Sequence, residues 1–120
     1  HKPMTRLNSF GSVMSYAIEL ETRLTSYYQA IGNADRATSA DKRRIKLERI
    51  RRENVVEITL EPIDGLDEAD FPFNWEDASD AGQTAVEAAF VQFYSAIAPK
   101  INVLTAQRAL ERCGQEHQAS

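Results

Sequence analysis

Four glutamates, Glu21, Glu53, Glu87 and Glu116, each interrupt the apolar stripe of a different helix-like segment. Glu21 stands four residues after Ala17, three before Leu24 and seven before Tyr28; Glu87 stands three before Phe90 and seven before Tyr94. A carboxylate carried into a core is strongly unfavourable unless it is protonated, paired with a cation or bound to a metal. Four meeting at one level cannot all stay ionised without compensating positive charge. Two divalent ions would neutralise them, and oxygen donors suit iron or manganese. Raised carboxyl pKa values, salt bridges to arginine and a site open to water are the alternatives.

The acids recur in a pattern. Glu21 and Tyr28 have counterparts 66 positions later in Glu87 and Tyr94. Leu47-Glu48-Arg49 with Glu53 has its counterpart in Leu110-Glu111-Arg112 with Glu116, at an offset of 63. Two similar helical hairpins, and hence an internal duplication, are expected.

The elements that must carry these residues are four helices. Phe10, Val13, Met14, Ala17, Leu20, Leu24, Tyr27, Tyr28 and Ile31 recur at steps of three and four, which predicts a first helix over 9–31. Asn8 or Ser9 can cap it, and Gly32-Asn33 offers a left-handed stop. A second helix is expected from a Ser39 cap to about Glu61, with Pro62 ending it and Leu47, Ile50, Val56, Leu60 and Ile63 marking its inner face, Glu53 lying between Ile50 and Val56. Its basic residues, among them Lys42, Arg43, Arg44, Lys46, Arg49, Arg51 and Arg52, read as a solvated face laced by pairs such as Arg44–Glu48. Residues 63–79 read as a long acidic connection in which Phe71, Phe73 and Trp75 anchor the chain to the bundle. A third helix is expected from Asp80, with Gln83 completing its cap and Pro99 ending or kinking it, and a fourth from about Asn102 to Gln118.

The fold class is therefore all-α: a four-helix bundle of two hairpins with one long crossover between helices two and three. One domain over 1–120 is expected, with 1–8 an N-terminal extension or tag remnant, and 42% hydrophobic residues suffice for a core. The net charge of −4 and pI near 5.2 argue against nucleic acid and anionic membranes as partners. Cys113 is the only cysteine, which excludes an internal disulfide, favours a cytoplasmic setting and reads as a small core residue. No nucleophile elbow or phosphate loop is present.

The Glu-then-Tyr spacing in helices one and three, and the single acids of helices two and four, resemble the rubrerythrin-like branch of the ferritin-like superfamily from Phe10 to Gln118. The resemblance implies that Glu21 and Glu87 are metal ligands from helices one and three. Glu53 and Glu116 would be the acids of the Glu-x-x-His motifs, and Tyr28 and Tyr94 would hydrogen-bond to the ligands. The family's two histidine positions hold Val56 and Ala119; His117 adjoins Glu116 but lies about 100° from it around the helix. The resemblance thus implies a reduced, all-carboxylate site binding iron or manganese weakly. Any activity would be of the di-iron oxidase or peroxidase type, with electrons from a separate redox partner. The other reading is a metal-free structural or interaction module, a homodimer, whose acids are protonated or paired with Arg23, Arg52 or Arg112.

Overall fold

Gly32 turns the first hairpin. The computed structural model describes residues 10–54, 71–101 and 103–119, and every element among them is helical. Helix α1 spans Phe10–Ile31 and stops where Gly32 takes φ +90°, a left-handed conformation that costs glycine nothing. The Gly32 and Asn33 amides both donate to the Tyr28 carbonyl, at 3.0 and 2.9 Å, and Gly32 also reaches the Gln29 carbonyl at 3.2 Å, which satisfies two acceptors of the last turn. The link is so short that α2, Ala34–Asn54, must run back beside α1.

Helix α2 begins well before Ser39, contrary to the expected cap. The Asn33 side chain accepts from the Arg36 amide at 3.2 Å, so the residue that ends one helix also caps the next. Helix α2 buries one face. Its inward stripe is Ala37, Ala40, Arg43, Leu47 and Ile50, all buried. The proposed inner residues Val56, Leu60 and Ile63, the Pro62 stop and most of the long connection lie outside the described residues.

Helix α3, Asp80–Ile97, starts as expected, with the Ser79 hydroxyl accepting from the Gly82 amide. The Gln83 side chain donates instead to the Ala78 carbonyl. Pro99 ends α3 in a 3-10 turn, Ala98–Lys100, and α4 follows over Leu104–Ala119. Helix α1 packs on α2, α3 on α4, and α2 also touches α4. Gly114 sits at the closest approach of the second hairpin: a Cβ there would lie 3.1 Å from the Tyr94 Cβ. Close packing of α4 on α3 compensates the low helix propensity of that residue.

The aromatic part of the long connection anchors as anticipated. Phe71 is buried and meets Phe93 edge-on at 5.2 Å; Phe73 meets Phe90 at 4.8 Å. Trp75 lies edge-on to Tyr27, whose hydroxyl donates to the Asp77 carbonyl. Three rings thus pin residues 71–77 across α1 and α3. Of the described residues, no helix is long and apolar enough to cross a membrane.

Candidate functional site: a buried charge centre

Seven residues make two helical turns, so Glu21 and Tyr28 share one face of α1, and Glu87 and Tyr94 share one face of α3. The two faces meet reciprocally. Tyr28 donates to Glu87 Oε2 and Tyr94 donates to Glu21 Oε2, each at 2.5 Å, so each tyrosine serves the acid of the other hairpin. Glu21 is fully buried and Glu87 is 5% exposed.

Between the acids lies a residue that the motif alignment had set aside. His117 of α4 is buried, with Nδ1 2.7 Å from Glu87 Oε1 and Nε2 2.9 Å from Glu21 Oε2. Ionised carboxylates only accept, so a ring that satisfies both acids carries a proton on each nitrogen and is cationic. Burial pulls the imidazole pKa down, but the hydrogen bonds that the ring donates to Glu21 and Glu87 outweigh it and hold His117 above its ordinary value. Burial likewise pushes Glu87 up, and the bonds from His117 and Tyr28 overcome this and leave it below the ordinary carboxyl value. Phe90 stacks on the imidazole at 4.3 Å, a favourable seat for a cation.

The second cation is Arg43. Its Nε lies 3.0 Å from Glu21 Oε1 and its Nη1 3.3 Å from Glu116 Oε1, with the side chain 5% exposed. Burial weakens the guanidinium's charge preference, while Glu21 more than restores it. Arg36 donates to the Tyr28 hydroxyl at 3.2 Å and lies over its ring. Burial and the Glu87 carboxylate raise the Tyr28 phenol, and burial and the Glu21 carboxylate raise Tyr94, so both remain neutral donors.

The four acids do not converge, which corrects the expectation of a common level. Glu21 and Glu87 are central. Glu116 stands roughly 75° to one side of the α4 inner stripe at 100° per residue, and its half-exposed carboxylate meets Arg43. Glu53 is exposed, roughly 120° from the α2 inner stripe. The counterion is also not Arg23, Arg52 or Arg112, which are all exposed. Sequence reasoning missed Arg43 and His117, although a signal existed. Arg43 falls three after Ala40 and four before Leu47, and His117 falls four after Cys113 and seven after Leu110. Both steps are interior spacings.

Cys113 is a core residue, as anticipated. Burial first, then Glu21 and Glu116, push its thiol up to about 12, so it stays protonated. The rest of α2's basic run is as expected at Arg44, which bonds Asp41 and Glu48 at the surface.

A di-metal centre does not fit this donor set. Both Glu21 oxygens and both Glu87 oxygens accept from protein donors, and neither nitrogen of a cationic imidazole has a lone pair to offer. With the acids ionised, Glu21 and Glu87 supply two negative charges, and Arg43 and His117 supply two positive ones. Among the described residues no group of three or more His, Cys, Asp or Glu is disposed to hold a metal ion. No family model, curated protein or solved structure matches this chain.

Proposed function

We propose that the chain is a metal-independent structural or protein-interaction module, built as a one-crossover bundle of ferritin-like type, that has exchanged a metal centre for an internal ion network. One observation carries this reading: the buried acids are met by hydrogen-bond donors and cations of the chain itself. No buried side-chain polar atom among the described residues lacks a partner. The reciprocal Glu–Tyr pairs support descent from two like hairpins. Such a network rarely adds net stability over an apolar core, but it penalises any packing that separates its members. Fixing the register of two hairpins is the role it suits.

Metal analysis of protein purified without chelator tests the proposal. Iron and manganese well below one equivalent are expected, with a melting temperature unmoved by chelator, Fe2+ or Mn2+. The rival reading, weak iron or manganese binding by the acids, requires Arg43 to withdraw and His117 to lose a proton. Stoichiometric metal together with a metal-dependent melting temperature would establish it instead. Sedimentation of the same sample reads whether the module pairs as a homodimer.

A further inference from the structure

Arg23 is the cation of α1, and the buried centre does not use it. It is exposed and forms no ion pair among the described residues. Its guanidinium carbon stands 5.9 Å from the centroid of the Trp75 indole. Both residues line a cavity of about 720 Å³ between α1 and the 75–78 stretch, together with Ser26, Tyr27, Ala30 and Ile31. Arg23, Ser26 and Ala30 follow at steps of three and four and so share one face of α1, where the small Ser26 and Ala30 leave the space open. The volume lies within the roughly 300–1,000 Å³ of small-molecule sites. Eight residues line it, against about 20–30 on each side of a stable protein interface, so the occupant it fits is a small molecule.

We propose that this cavity binds a small organic carboxylate with an aromatic body, its carboxylate on Arg23 and its ring against Trp75. The inference goes beyond the module role and uses none of the buried centre. The aromatic wall is fixed before anything binds. Trp75 stacks on Phe73 at 5.2 Å and meets Tyr27 and Phe90 edge-on at 5.8 and 6.2 Å. Tyr27 is itself buried, and its hydroxyl is tied to the Asp77 carbonyl. A ligand that covers the indole therefore orders little that was mobile, and it removes apolar surface of Trp75 and Ile31 from water. The charge of the cavity is one-sided, because Arg23 is the single charged residue of its lining. Asp77, on the same stretch, accepts from the Ser79 amide and hydroxyl and does not line the cavity. A cationic ligand would meet like charge, and an uncharged one would leave the guanidinium unanswered. A carboxylate takes two parallel N–H donors from it.

Trp75 is the only tryptophan of the chain, so its emission reports on this cavity alone. The experiment titrates phenylbutyrate and its uncharged amide, phenylbutyramide, into the wild type, Arg23→Gln and Ser26→Phe, reading Trp75 emission and the indole N–H resonance. Both substitutions fall on exposed positions of α1, and circular dichroism checks that the variants are folded. In the wild type, phenylbutyrate should give a saturable response and bind about tenfold more tightly than the amide, the worth of one charge-assisted contact. Arg23→Gln should bring phenylbutyrate down to the affinity of the amide and leave the amide unchanged. Ser26→Phe, which fills the space with a ring, should abolish the response to both. No saturable response of the wild type at millimolar phenylbutyrate would overturn the inference. So would equal wild-type affinity for acid and amide, or a response that Ser26→Phe leaves intact.

Discussion

His117 and Glu87 set the pH range in which the centre contributes to stability. Glu87 is held below its ordinary value of 4.5, so its contribution is present above 4.5 and is lost as pH falls through the folded value. His117 is held above its ordinary value of 6.5, so its contribution is complete below 6.5 and is lost as pH rises through the folded value. Both are present together between 4.5 and 6.5. Denaturant unfolding should therefore give a stability maximum in mildly acidic solution with a decline on either side, and His117→Gln should remove the alkaline decline. The tyrosines test the reciprocity. Tyr28→Phe and Tyr94→Phe each strip a donor from a buried carboxylate, a loss of about 1–3 kcal/mol apiece. Because His117 joins the two acids, the double variant should depart from additivity by at least about 0.5 kcal/mol in a denaturation cycle. Strict additivity would mean that the two halves of the centre are independent.

At the scale of elements, the start of α3 is the most constrained local structure. Asp77 Oδ1 accepts from the Ser79 amide at 3.0 Å and from its hydroxyl at 2.6 Å, and Ser79 in turn caps Gly82. The Ser79 bonds hold the Asp77 carboxyl below its ordinary value. A Cβ at position 82 would fall on the Asp77 carbonyl oxygen, with the Asp77 Cγ only 2.5 Å away. The same carbonyl receives the Tyr27 hydroxyl, so it cannot retreat without releasing the aromatic anchor. Gly82→Ala, ordinarily favourable in a helix, should here cost roughly 1–3 kcal/mol as an overpacking change. Thermal melts would show it, and an unchanged or raised melting temperature would mean that the 71–79 segment moves freely.

At the scale of the molecule, the centre ties α1, α2, α3 and α4 together through side chains distant in sequence. Tyr28 to Glu87 spans 59 positions and His117 to Glu21 spans 96. Among the described residues the rest of the core is apolar and aromatic. A bundle of amphipathic helices can pack in several registers with similar apolar burial. Misplacing either hairpin by one turn would leave two carboxylates, an arginine and a histidine unpaired in a dry interior, at several kcal/mol each. The ion network thus penalises any packing that separates its members.

Local chemistry was enough to read α1 and α3. Three-and-four spacing, Gly32, Ser79 and Pro99 act over a few residues, and the structure puts α1, α3 and the aromatic anchor of Phe71, Phe73 and Trp75 where those signals lie. That Glu21 and Tyr28 share one face, and Glu87 and Tyr94 another, was legible for the same reason, because seven-residue spacing fixes a shared face before any partner is known. What those faces meet was decided only by the fold. Whether a basic residue is solvent-facing or a counterion depends on which face of its helix the packing buries, and α2 buries the face that carries Arg43. One step of 100° in α4 likewise put His117 inside and Glu116 at the rim. Spacing along a chain determines which residues travel together, but the sign and number of charges that gather in a core depend on packing between segments, which no local signal carries.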